Sequence, residues 1–180
     1  DIVPVGAASF LRVERRAARA YGCGSSEITL RGKCLRRKPG IDEMLMQTPQ
    51  LSGAARLTAL REELKRRGLD GFIIPISDEH MSEYVGDYAQ RLGWLTGFGG
   101  SAGFACVTLT HAAIFVDGRY TVQVREQVDG DLFEYRSIPK DTLAGWLAEV
   151  CKSSARIAYD PWLHTWKWAE TLEAALAPAG

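Results

Sequence analysis

From Ser52 onward, apolar and polar positions fall into short periodic blocks. Leu57, Leu60 and Leu64 recur at helical spacing and predict a helix. Glu62 and Arg66, and Glu63 and Arg67, are favourable i,i+4 pairs on it. Lys65, Arg66 and Arg67 suit its C-terminal dipole, and Gly68 closes it. Gly71–Pro75 is a short apolar run ended by proline, a buried strand. Ser77 is the expected N-cap of a second helix, with Asp78 and Glu79 in its first turn. Met81, Tyr84, Val85, Tyr88 and Leu92 would form that helix's apolar face. Residues 104–109 and Ala112–Val116 read as strands joined tightly at Thr110-His111. Tyr120, Val124 and Val128 mark a helix, and residues 132–136 a strand. Leu143, Trp146, Leu147 and Val150 form a helical stripe behind Asp141, and residues 156–159 are a further strand. Asp160-Pro161 opens a last helix, with Trp162, Trp166, Ala169, Leu172 and Leu176 as its apolar stripe. Helices alternating with short apolar strands predict an α/β fold of three layers, and the tight hairpin makes its sheet mixed.

Residues 1–43 carry no such pattern and read as a basic leader, disordered or not native to the protein. Residues 44–180 read as the folded domain, and Met44 or Met46 would make a sensible start. The 180-residue chain has no net charge, with 22 Lys and Arg against 22 Asp and Glu. That balance provides no global field for nucleic acid or membrane. It also hides an asymmetry, because Arg12, Arg15, Arg16, Arg19, Arg31, Lys33, Arg36, Arg37 and Lys38 all precede residue 41. An Arg-rich targeting peptide or a basic arm is the functional alternative for this stretch. No apolar run reaches the ~20 residues that a membrane-spanning helix needs. The four cysteines (Cys23, Cys34, Cys106 and Cys151) form no C-x-x-C pair. Cys106 and Cys151 read as small buried hydrophobes, and a reducing, cytoplasmic setting suits the set.

Three features could carry chemistry. Gly99-Gly100-Ser101-Ala102-Gly103 matches the G-x-S-x-G of serine hydrolases, and Asp160 and His164 follow in triad order. A nucleophile elbow needs a strand before the serine and a helix after it, and here the expected order is reversed. A hydrolase built on Ser101 is therefore the lesser alternative, against a glycine-rich turn that lets backbone pass close to a neighbour. Asp78, His80, Glu83 and Asp87 could in principle hold a metal, although an acidic first turn suits any helix. Tyr84, Arg91, Trp94 and Phe98 flank the glycine-rich turn, where rings and a guanidinium could reach a ligand or a neighbouring domain. His111 and His164 have no evident partner, and the tryptophans from Trp162 to Trp168 read as core. No spaced set of Asp, Glu and His of the kind a dinuclear hydrolase needs is evident beyond the helix-start cluster.

Several segments, in order, resemble the amino-terminal domain of aminopeptidase P, of the M24 metallopeptidases. They are residues 61–75, Ser77-Asp-Glu-His-Met-Ser-Glu-Tyr84, Arg91-Leu-Gly-Trp-Leu-Thr-Gly-Phe-Gly-Gly-Ser-Ala-Gly103, Phe115-Val-Asp-Gly-Arg-Tyr120 and Tyr159-Asp-Pro-Trp-Leu-His164. Together they cover about residues 52–180; Gly99 stands where the pattern often has Thr. The resemblance implies a creatinase/prolidase N-terminal fold, similar to ribonuclease H in topology. It implies a non-catalytic domain of an Xaa-Pro aminopeptidase, a hydrolase that removes a residue preceding proline. The parent enzyme would use two divalent metal ions, Mn or Zn, held by a later domain, with no cofactor in this chain. Its partners would be peptides with proline second and further copies of itself, as a homodimer or other homo-oligomer, with neither nucleic acid nor membrane. By matching motif, Arg91, Trp94 and Phe98 are the residues expected at the opening for substrate, and no catalytic or metal-binding residue carries over. The same fold resembles the amino-terminal domain of the large subunit of the FACT histone chaperone, so a non-enzymatic binding module is the alternative.

Overall fold

In the computed structural model, residues 2–4 and 51–177 are described. The expectations for residues 5–43, Cys23 and Cys34 included, lie outside them. Six strands form one mixed sheet in the order β1-β6-β2-β3-β4-β5. They are β1 (Ile2–Pro4), β2 (Gly71–Pro75), β3 (Phe104–Thr108), β4 (Ala112–Val116), β5 (Glu134–Ser137) and β6 (Ile157–Tyr159). Only β3 runs against its neighbours; β1–β6, β2–β6 and β4–β5 pair in parallel. The edge strand β1 was not expected from sequence.

Among the described residues five α-helices cover the sheet: α1 (Gly53–Arg67), α2 (Arg91–Thr96), α3 (Gln123–Gln127), α4 (Leu143–Val150) and α5 (Trp166–Leu176). The period-two alternation of the strands decides which side each residue serves. Phe72, Ile74, Ala105, Val107, Ile114, Val116 and Ala158 join Leu57, Leu60 and Leu64 of α1 on one face. Ile73, Cys106, Ala113, Phe115, Ile157 and Tyr159 join Leu143, Trp146 and Leu147 of α4 and Ala169 and Leu172 of α5 on the other. The result is the expected three layers.

Local chemistry fixes the helix ends. Ser52 accepts the Ala55 amide at the start of α1, and Gly68 closes it at φ 65°. Thr142, rather than Asp141, caps α4 through the Gly145 amide. The expected last helix is split. Asp160 caps only the 3-10 turn Pro161–Leu163, and Thr165 caps α5 afresh. That break changes the helical register, so Trp162 and Trp166 leave the apolar stripe and stand in solvent, 62% and 78% exposed. The reading of both as core is corrected accordingly. Trp168 does pack, edge-on to Tyr159 and against His164.

Candidate functional site

The pairing registers bring several connections to one end of the sheet. Pro75 of β2 lies opposite Phe104, where β3 begins, and Phe104 lies opposite Phe115 of β4. With β6 parallel to β2 and β5 parallel to β4, residues 76–90, 97–103, 117–122 and 160–165 all meet there. In α/β folds this carboxyl end of the parallel strands is the usual place for function.

The first connection departs from expectation. Residues 77–90 form an irregular loop ending in the 3-10 turn Asp87–Ala89, and no second helix spans Met81 to Leu92. Asp78 supplies the reason. Its carboxylate accepts the amides of His80 (3.0 Å) and Ser82 (2.9 Å), folding the backbone into a local turn that competes with helix. Met81 sits at φ 54° as a consequence of the same turn. Ser77 does not cap a helix; its hydroxyl donates to the Leu163 carbonyl at 2.7 Å and ties this loop to residues 160–165. Tyr84 and Tyr88, expected on a buried face, are 84% and 69% exposed.

Arg91, half-buried, opens α2, with Nη1 3.5 Å from the Ala89 carbonyl. Asp160 is a buried carboxyl that accepts the Trp162 amide at 3.0 Å. Burial raises the Asp160 pKa, against the opposing pull of that amide and of Arg91. Trp94 lies on the surface under the Arg56 guanidinium, 5.1 Å from its ring centre, and Arg56 also donates to the Trp94 carbonyl. Phe98 does not reach outward. Gly97, at φ 84°, turns the chain inward, the Thr96 hydroxyl accepts the Phe98 amide, and the ring is buried edge-to-face with Tyr120. Of the three residues expected at an opening, Arg91 and Trp94 are at the surface and Phe98 belongs to the core.

Ser101 is mounted between a turn and β3, and its hydroxyl bonds Tyr120 at 2.7 Å. That bond lowers the Tyr120 pKa. His164, the would-be base, has its Nδ1 3.0 Å from the Asp160 carbonyl and its ring 3.9 Å from Trp168. Burial lowers its pKa. The three residues thus have separate local duties and form no triad. His111 also has partners, since its Nδ1 lies 2.9 Å from the Thr110 hydroxyl.

Among the described residues no group of three or more His, Cys, Asp and Glu is placed to hold a metal ion. The Asp78 Oδ1 is engaged by two backbone amides, and His80, Glu83 and Asp87 are not gathered with it as a ligand group. No helix among the described residues is long and apolar enough to cross a membrane. Sequence reasoning set aromatic rings near this end but placed Tyr84 and Tyr88 on a buried helical face and Trp162 and Trp166 in the core, and so missed their exposure. The Ser77-Asp78 pair, one residue beyond the end of β2, was the available signal for a turn.

The profile of the Creatinase/Prolidase N-terminal domain matches residues 56–179. The chain belongs to that family. Xaa-Pro aminopeptidase 2 of Sus scrofa is 39% identical over 125 residues, covering 69% of this chain and 19% of that protein. An X-prolyl aminopeptidase from Caenorhabditis elegans, described as a cytosolic enzyme with a di-nuclear active site, superimposes with a TM-score of 0.66 at 28% identity. That match covers 72% of this chain and 23% of the other. The N-terminal domain of the cytoplasmic peptidase PepQ from Mycobacterium tuberculosis matches at a TM-score of 0.54 and 26% identity, over 69% of this chain and 87% of that one. The chain is thus an N-terminal domain of the Xaa-Pro aminopeptidase family, and it spans about a fifth of the length of the curated relatives it matches.

Proposed function

We propose that this chain is the non-catalytic part of a metal-dependent Xaa-Pro aminopeptidase, where it shapes access of peptides to an active site held elsewhere in the parent. One observation carries the reading: the family match covers residues 56–179, while the relatives are several times longer. The parent's substrates are peptides with proline in second position, and its hydrolysis uses two divalent ions, Mn or Zn. The C. elegans neighbour, described as having a di-nuclear active site, supports the metals. Its description as cytosolic supports a cytoplasmic setting, as do the unpaired Cys106 and Cys151. The parent acts as a homo-oligomer. Arg91 and Trp94 are the surface residues through which the domain meets the access path, with Phe98 holding their turn from beneath.

The test is an assay of the purified 180-residue chain and of its full-length parent on an X-Pro peptide with added Mn²⁺. The parent is expected to turn over and the chain alone to remain inactive. Metal-dependent turnover by the chain alone would overturn the assignment. An inactive parent would favour the binding-module alternative.

A further inference from the structure

The first turn of α1, the end of α2 and the segment leading from α3 to β5 border a cavity of about 290 Å³. Ligand pockets run from roughly 300 to 1,000 Å³, so this one has room only for a small molecule. Leu95 and Phe133, both buried, and the half-buried Leu132 give it an apolar side.

Two opposite charges border the same space. Arg56 is one; it donates to the Trp94 carbonyl and lies over the Trp94 ring, which hold it at the wall. Asp129 is the other. Its Oδ1 accepts the Asp131 amide at 2.9 Å, and no ion pair engages the carboxylate among the described residues. Gln127 adds a side-chain amide whose direction is fixed. Its Oε1 accepts the Gly99 amide at 2.9 Å and the Gln123 Nε2 at 3.2 Å, which leaves its Nε2 as a donor.

These groups select a ligand by exclusion. A simple anion would meet the Asp129 carboxylate, and a simple cation would meet Arg56. Like charges so placed are unfavourable. A hydrocarbon would cover both charges and pair neither, which also costs free energy. A compact molecule with a carboxylate, an ammonium and an apolar body answers every group at once, and its hydrogen bonds to the two ionised side chains are of the stronger kind.

We propose that this cavity binds a free apolar α-amino acid, with Arg56 and Gln127 on its carboxylate, Asp129 on its ammonium, and Leu95, Leu132 and Phe133 against its side chain. Xaa-Pro cleavage frees the first residue of each peptide as such an amino acid, so in the parent the site would fill as product accumulates. That consequence, unlike the site itself, rests on the function proposed above.

Titration of the 180-residue chain with L-leucine, followed by amide NMR, tests the site. Saturable binding of millimolar strength is expected, with shifts centred on Gly53, Gly97 and Asp129. N-acetyl-leucine, which lacks the ammonium, and leucinamide, which lacks the carboxylate, should bind about tenfold more weakly, as loss of a charged hydrogen bond requires. Asp129→Asn should close the gap between leucine and N-acetyl-leucine, a change that a merely structural role for Asp129 would not produce. Gly53→Leu is the second variant. A Cβ at Gly53 would lie 3.7 Å from Leu132 Cδ1 and 4.0 Å from the Leu95 carbonyl oxygen, so a longer side chain enters the cavity. Leucine also favours helix over glycine, so the midpoint of thermal unfolding should hold or rise while binding is lost. The site is overturned by the absence of saturable shifts with leucine, by equal affinity for uncharged N-acetyl-leucinamide, or by binding that survives Gly53→Leu. A chain that binds leucine beside a full-length parent that cleaves no X-Pro peptide would defeat the functional assignment alone. A parent that cleaves while the chain binds no leucine would defeat the site alone.

Discussion

At the scale of single residues, the glycine-rich turn before β3 is a packing device. A Cβ on Gly100 would lie 2.3 Å from the Phe98 ring, and one on Gly103 would lie 2.8 Å from the Phe115 carbonyl oxygen. Gly103 also sits at φ 151°, where side chains are strained. The G-x-S-x-G pattern is accounted for by this crowding, with Ser101 simply bonded to Tyr120. Gly103→Ala is expected to cost about 2 kcal/mol in urea unfolding, from backbone strain and the clash together. Gly118→Ala, where a Cβ would meet nothing within 4 Å, should fall within about 0.5 kcal/mol of the parent sequence. Similar losses at the two positions would show that the turn is not tightly packed. The motif was legible in the sequence, but its meaning was not, because a pattern of residue types does not state which atoms lie across the turn.

At the scale of elements, α1 behaves as its sequence predicts. Its apolar spacing, N-cap, closing glycine and basic last turn all act in the same direction. The ion pairs are slightly rearranged: Glu63 binds both Arg66 and Arg67, at 2.5 and 2.7 Å. The hydrogen bond from Arg66 is the largest cause of the fall in the Glu63 pKa to about 2. A depressed carboxyl pKa stabilises the fold above the unfolded value near 4.5, and that contribution is lost as pH falls through about 2. Glu63→Gln should therefore lower stability at pH 7 by about 0.5 to 1 kcal/mol, given helix-surface pairs of this kind. Denaturation curves of the two proteins should converge between pH 4.5 and 2. A difference that persists below pH 2 would locate the effect in packing. The segments after β2 and β6 were misread because a helical period can be written by residues that never form the helix. At Asp78 and at Asp160, a side chain captured backbone amides and ended the regular spacing early.

At the scale of the whole molecule, the second core layer depends on α4 and α5 closing over the sheet. Trp146 is 2% exposed, meets Phe115 edge-to-face, and donates from its indole nitrogen to Glu134 at 3.2 Å. Trp146→Ala removes the ring and leaves a cavity on that face. The expected loss is about 3 to 5 kcal/mol in equilibrium unfolding. Trp146→Phe should recover much of this loss. A small effect of the alanine change would mean that α4 packs loosely.

The sequence alone determined the layered α/β class, the five longer-range strands and the helix α1, because alternating and helical periods are set by which residues must leave water. It also carried the family, through ordered motifs that no single element explains. Tertiary structure decided what those motifs do. It buried Phe98, gave Ser101 and His164 different partners, added β1 at the sheet edge, and turned Tyr84, Tyr88, Trp162 and Trp166 outward. The physical reason is that exposure is a property of the assembled surface: the same aromatic ring serves as core or stands in solvent depending on where a capped turn resets the chain.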